Sequence, residues 1–290
     1  MTGLCMYQKF YGLAETPFSP YPDVDFWYQS ARYQSALESV RLSLVEQAGV
    51  VVLTGPAGIG KSTVAGQFLS SLSSGVTAGY LSNTIYRDVE ELLKWILLSF
   101  DCDYRMEDRV SLFHIFADFL IKQHQEGQKV VLVLDEAHRL SHRAFNQLKM
   151  LTNINANKRQ LLRLVLIGQP ELMDLLKDAR NSFFTQCVTV ERQLFPLNST
   201  ETVEYIHYRI RKAGGDPFFF PEDACEMVWQ QASGLPRVIN ALCDASLLKA
   251  HAEHSEVVDP KTVEGAASEL SVSLYAAEHI CGALKVAQSS

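Results

Sequence analysis

The 290-residue sequence is poor in several features, and each shortage excludes something. It has no C-x-x-C pair: Cys5, Cys102, Cys187, Cys225, Cys243 and Cys281 are scattered. Such spacing argues against a disulfide scaffold and for reduced, mostly buried thiols, as in a cytoplasmic protein. No apolar run approaches the roughly 18–20 residues of a bilayer-spanning helix, so no direct membrane span is expected. No basic segment followed by an apolar stretch opens the chain, and no secretory signal is read there. The eight histidines show no metal-ligand spacing. Basic residues are in deficit: 26 Lys and Arg against 33 Asp and Glu leave a net charge of −7. That disfavours a dedicated nucleic-acid binder but leaves room for a local basic stripe. What is plentiful is apolar. At 47% hydrophobic residues, the chain can bury one large core or two modest ones.

That apolar content is organised around residues 50–69. Val50-Val51-Val52-Leu53 reads as a buried strand, and Val64-Ala65-Gly66-Gln67-Phe68-Leu69 as the start of a helix. Between them stands Gly55-Pro56-Ala57-Gly58-Ile59-Gly60-Lys61-Ser62-Thr63, a G-x-x-x-x-G-K-S pattern in the strand–loop–helix setting it needs. Gly58 and Gly60 permit positive φ and close approach to a phosphate. The loop N–H groups and the helix N-terminus then form an anion site. Residues 55–63 are therefore expected to cradle the phosphates of ATP. Lys61 would reach the β- and γ-phosphates, Ser62 would ligate Mg²⁺, and Thr63 would help hold the α-phosphate side.

A second buried strand ends in chemistry. Residues 129–134 are apolar after Lys129, as in a parallel-sheet strand covered on both faces. They run into Asp135-Glu136-Ala137-His138, at the strand tip where open α/β sheets bind ligands. Asp135 is expected to orient Mg²⁺, and Glu136 to orient or deprotonate the attacking water. Residues 161–167 form another buried strand ending in Gly168-Gln169-Pro170. A polar residue there would lie between the two chemistry-bearing strands; Gln169 is the candidate γ-phosphate sensor. Further strands are expected over 76–81 and 187–194, and helices over 31–47, 88–100, 110–125 and 140–154. Asn83 closes the strand at 76–81; it reads as a loop residue or, by resemblance to some AAA+ ATPases, as one that holds Glu136 inactive.

The chain divides by pattern. Residues 1–45 hold an aromatic arm and a leading helix. The arm is rich in Pro and Gly from Gly12 to Pro22, which forbids a helix over that stretch. Its aromatics would either pack beside a nucleotide base or cap the core. Residues 46–196 form the α/β core, a P-loop NTPase with a parallel sheet flanked by helices. Residues 197–270 read as a small all-α lid of four helices, over 203–212, 221–232, 235–252 and 259–270. Residues 271–290 read as a tail or linker.

This order resembles that of the AAA+ ATPases, in which an Arg opening the third lid helix touches the γ-phosphate. Arg237, in Gly234-Leu235-Pro236-Arg237, matches it. The resemblance narrows with Met6-Tyr7, Phe10-Tyr11-Gly12-Leu13 and Pro17-Phe18, with Leu151-Thr152-Asn153, with Gly168-Gln169-Pro170-Glu171-Leu172 and with Pro236-Arg237-Val238-Ile239-Asn240. Over about residues 6–270 these look like the general secretion pathway protein A (ExeA) family and the related pilus-biogenesis ATPase MshM. The resemblance implies a cytoplasmic ATPase that self-associates with nucleotide. It also implies work with an inner-membrane or envelope-assembly partner in secretion or type IV pilus biogenesis. Many such proteins continue into a membrane segment and a periplasmic domain, so this chain reads as a short or truncated member.

One departure affects the expected rate. The family usually carries Gln-Arg-Ile before its last strand, and that Arg is the finger reaching a neighbour's γ-phosphate. Here the run is Gln186-Cys187-Val188. Cysteine supplies no fixed positive charge, so slow hydrolysis is expected unless Arg180 or Arg192 substitutes. Asp-Glu-Ala-His also spells the label of a helicase class, but such helicases need two RecA-like domains and this chain has room for one. The alternative function is an ATP-dependent DNA-binding regulator of the transposition-ATPase kind.

Overall fold

The computed structural model describes residues 4–19, 23, 25–45, 49–82, 86–104, 108–156 and 159–270. The chain divides into two compact units. A sheet unit comprises residues 31–55 and 64–194; a helical unit comprises residues 1–30, 56–63 and 195–290.

The sheet unit is built on five parallel strands. These are β1 (Val50–Thr54), β2 (Val76–Leu81), β3 (Lys129–Leu134), β6 (Leu162–Gly168) and β7 (Val188–Gln193), in the order β2-β3-β6-β1-β7. Two short strands, β4 (Asn155–Ala156) and β5 (Arg159–Gln160), form a separate antiparallel pair. The three central strands are buried almost throughout, which is why they read as unbroken apolar runs. Alternate residues serve opposite faces. Val50, Val52, Leu132, Leu134, Leu164 and Leu166 enter one core with Leu93 and Ile96 of α4 (Val89–Ser99), Phe116 of α5 (Arg109–Gln125) and Phe145 and Leu148 of α6 (His142–Thr152). Helix α2 (Ala31–Val45) packs on β1 and β7. Asp88, Asp108 and Ser141 cap α4, α5 and α6 by accepting first-turn N–H groups. Helices α7 (Glu171–Lys177) and α8 (Ser182–Cys187) lie between β6 and β7 in sequence, where no element was expected. The fold class expected from the sequence is the one observed.

The order sets the chemistry. β6 pairs with β1 on one side and β3 on the other, with Thr54 opposite Gly168 and Leu134 opposite Leu166. The tip carrying Gln169 thus lies between the strands that end in the phosphate loop and in Asp135.

The helical unit gathers α9 (Ser199–Lys212), α10 (Glu222–Ala232), α11 (Pro236–Ala252) and α12 (Pro260–Leu270) with the amino-terminal arm. Asn198 and Glu201 close a capping box on α9, which starts earlier than the expected 203. Ahead of its Pro- and Gly-rich stretch the arm holds a helix that was not expected, α1 (Leu4–Phe10), in a segment that itself contains no Gly or Pro. Gly12, at φ +66, ends that turn.

The arm's aromatics pack on the lid helices. Tyr7 is fully buried, and its hydroxyl donates to Asp244 Oδ1 on α11 at 2.6 Å. Tyr11 donates to the Ser255 carbonyl at 2.9 Å, and the Ala14 N–H to the Ala213 carbonyl at 2.8 Å. Buried Arg209 of α9 donates to the Pro17 carbonyl and, at 2.8 Å, to the Tyr205 hydroxyl. Its guanidinium lies 4.9 Å from the centre of the Phe26 ring. Within its own unit the arm thus caps the lid helices. Asn83 and residues 271–290 lie outside the described residues.

Candidate active site

The phosphate loop begins at the tip of β1, where the Gly55 N–H donates to the Gly168 carbonyl at 3.2 Å. In the helical unit, residues 56–63 form the turn and the start of α3 (Lys61–Ser70). Gly58 and Gly60 stand at φ +77 and +96, in the region that side chains with a Cβ avoid. Lys61 is 5% exposed, and its ammonium donates to the Pro56 carbonyl at 3.0 Å, folding back over its own loop. Ile59 is fully buried and anchors the turn. Pro56, Ala57, Ser62 and Thr63 are half-buried.

Arg237 meets this loop. It occupies the second position of α11, behind Pro236, whose ring suits a first helical residue. The Arg237 N–H is one of the donors a helix start leaves unpaired, and it donates to the Gly58 carbonyl at 3.1 Å. A Cβ on Gly58 would lie 2.8 Å from the Arg237 Cβ, so only glycine fits. Ser233 and Gly234, both left-handed, aim this turn. A Cβ on Gly234 would strike the Leu197 carbonyl oxygen. Gly58 therefore has a second constraint that its motif does not reveal.

The sheet unit presents the other set. Asp135 is 3% exposed, accepts the Glu136 N–H at Oδ1 (2.8 Å) and the Tyr80 hydroxyl at Oδ2 (3.2 Å). Burial pushes the Tyr80 phenol well above its ordinary value, and the carboxylates of Asp135 and Glu136 push the same way. Tyr80 therefore stays a neutral donor. Glu136 is left-handed, at φ 55 and ψ 30, an uncommon backbone for a non-glycine residue. Its carboxylate lies 3.4 Å from Arg139 Nε and 3.6 Å from His138 Nε2. His138 Nδ1 accepts the Gln169 N–H at 3.2 Å, which leaves the ring proton on Nε2, facing Glu136. The sensor candidate and the carboxylate are thus joined through His138.

Sequence reasoning missed Tyr80, His138 and Arg139 as members of this set. The signal for His138 stood in the Asp-Glu-Ala-His run; Tyr80 had none, since its role depends on β2 lying beside β3.

Neither substitute finger is unengaged. Arg180 makes a two-pronged contact with Asp178, at 2.9 and 2.6 Å, and holds that carboxyl well below the usual range. Arg192 donates to Ser39 Oγ and the Glu191 carbonyl, both at 2.9 Å. Cys187 closes α8, half-buried, with burial raising its thiol pKa.

A family model described as an AAA domain matches residues 44–176. Over 268 residues the chain is 33% identical to the general secretion pathway protein A of Aeromonas hydrophila, covering 92% of this chain and 49% of that protein. The chain spans about half the length of this curated relative. In fold it is similar to Cdc6p of Pyrobaculum aerophilum, with a TM-score of 0.69 and 16% identity, over 87% of this chain and 70% of that one. It is similar also to the ORC2 protein of Aeropyrum pernix, solved as ADPNP and ADP complexes, with TM-score 0.65 and 16% identity over 84% and 71% of the two chains. For the RuvB branch-migration motor of Thermotoga maritima the values are 0.57, 18%, 88% and 74%. At these identities the structural likeness shows fold alone.

Proposed function

For a chain that belongs to the AAA+ ATPases of the general secretion pathway protein A type, we propose slow ATP hydrolysis that couples nucleotide state to self-association and to an envelope-assembly partner. Residues 55–63 hold the triphosphate, with Lys61 against its outer phosphates. Ser62 and Asp135 would hold Mg²⁺; both are hard oxygen donors, the kind that ion prefers. Bound there, the ion would neutralise charge on the transferring phosphoryl group. Glu136 orients the water and takes its proton, and Gln169 and Arg237 sense the γ-phosphate. The observation that carries this reading is the Arg237 N–H on the Gly58 carbonyl, because it ties the phosphate loop to the helix that would report its contents.

The partner's place in secretion or type IV pilus assembly, and the cytoplasmic face of the inner membrane as the setting, belong to the same proposal. No helix among the described residues is long and apolar enough to cross a membrane. Lys61→Ala should abolish binding of a fluorescent ATP analogue. Glu136→Gln should keep binding and stop turnover. Two variants that both hydrolyse ATP at the wild-type rate would end the assignment. Sizing with ATP and Mg²⁺, with and without duplex DNA, separates the alternative: assembly that requires DNA favours a DNA-binding regulator.

Slow turnover follows from Cys187. An arginine finger can be worth about 10³–10⁵ in rate, so Cys187→Arg should raise turnover in the assembled protein. No gain would remove this explanation.

A further inference from the structure

Four arginines converge beside the nucleotide machinery. Arg87 ahead of α4, Arg109 at the start of α5, Arg139 after β3 and Arg143 in α6 line one hollow of about 520 Å³ in the sheet unit. Asp88 and Glu90 share the lining, but both are committed: Asp88 caps α4, and Glu90 is paired with Lys94 at 2.6 Å. Arg109 is steadied by Gln147 at 2.8 Å. The guanidiniums of Arg87 and Arg143 have no hydrogen-bond or ion-pair partner among the described residues. Like charges gathered around a concavity raise the local concentration of anions. Guanidinium forks match the two oxygens of a carboxylate.

We propose that this hollow receives an acidic segment of a partner protein, and that its carboxylates draw Arg139 away from Glu136. Arg139 belongs to both places: it lines the hollow and sits 3.4 Å from the Glu136 carboxylate. While it is there, a positive charge occupies the carboxylate that must orient water. An anion in the hollow competes for the same guanidinium and releases Glu136. The inference rests on the proposed role of Glu136 in hydrolysis.

Several features favour a protein segment over nucleic acid. The hollow has the size of a pocket for a compact group rather than a track for a backbone. Its lining carries both signs of charge. Arginine clusters of this kind read acidic motifs in proteins.

The test uses the full chain, a labelled Glu-rich peptide and a labelled duplex of matched charge. Wild type should bind the peptide in preference to the duplex, and the peptide should raise ATP turnover several-fold. Arg87→Ala/Arg143→Ala should lose about tenfold or more in peptide affinity, keep basal turnover and lose the stimulation. Arg139→Ala should show raised turnover without peptide. Equal thermal midpoints would establish that the variants fold. Equal peptide affinity in wild type and the double variant overturns the site. Duplex binding that alone depends on Arg87 and Arg143 overturns the ligand class in favour of nucleic acid. Pocket-dependent peptide binding that leaves turnover unmoved, with Arg139→Ala hydrolysing as wild type, overturns the release of Glu136. If wild type does not hydrolyse ATP at all while peptide binding still depends on the two arginines, the ATPase reading fails and the receptor stands.

Discussion

In the sheet unit, Val131, Leu132, Val133 and Leu134 are fully hidden in a row, and the ladder of β3 satisfies their backbone groups. In the helical unit the deepest contacts include a charge. Arg209, 5% exposed, holds the Pro17 carbonyl and the Tyr205 hydroxyl, and Tyr205 donates to Asn240 at 2.9 Å. The Asn240 amide reaches the Ser19 carbonyl at 3.3 Å. One unit is held by apolar area between chain neighbours and parallel strands. The other is tied by polar links to an arm nearly 200 residues away or more, such as Arg209 to Pro17 and Tyr7 to Asp244. Apolar burial is non-directional and tolerant, whereas a buried polar network specifies one arrangement and fails when a member is lost.

The largest expected effect therefore comes from emptying the sheet unit's core. Leu132→Ala removes a side chain packed in the central sheet and should cost about 2–5 kcal/mol. Denaturant unfolding of the sheet unit's tryptophan, Trp95, together with amide exchange across β3 and β6, reads it. A cost below about 1 kcal/mol, outside that range, would mean the site collapses easily and the contrast in packing is overstated.

Next comes the polar tie. Arg209→Leu keeps the bulk and removes the donors, leaving the Pro17 carbonyl without its bond. The expected loss is about 1–3 kcal/mol. It should be localised: faster amide exchange in residues 7–18 and α9, with the β-strands unchanged. Uniform weakening of both units would mean the arm is not a separate device of the helical unit.

This contrast also explains what was legible. The three central strands were legible because burial on both faces writes a continuous apolar signature, and their runs end at Gly55, Asp135 and Gly168-Gln169. The phosphate loop was legible because its glycines and lysine are needed in adjacent positions. The Tyr80–Asp135 bond was not, since it depends on β2 lying next to β3, which no local pattern states. Arg139 carries no signal in the sequence, because neither its closeness to Glu136 nor the convergence of Arg87, Arg109 and Arg143 has a sequence period. The arm's destination was equally hidden: Tyr7 and Asp244 are 237 positions apart. Residues 171–187 carry no helical signature in the sequence, because two short segments, of seven and six residues, show little periodicity.

The smallest effect sharpens the comparison most selectively. Asp244 receives the Tyr7 hydroxyl, but burial, the larger influence, raises its pKa above the ordinary carboxylate range, with the Tyr7 bond acting in the opposite direction. In the unfolded chain it has the ordinary value. Below that value both states are protonated and the full stability is present. As pH rises through the window between the unfolded and the raised folded value, the unfolded chain ionises first, and stability is lost until the folded group has ionised too. Asn at 244 still offers an oxygen to Tyr7 and does not titrate. Asp244→Asn should therefore match wild type most closely in acid and gain on it toward neutral pH, read as the difference in thermal midpoint of the helical unit across pH 3.5–7.5. A constant difference over that range would mean that the carboxylate is as well stabilised folded as unfolded, and that the arm's latch carries no electrostatic cost.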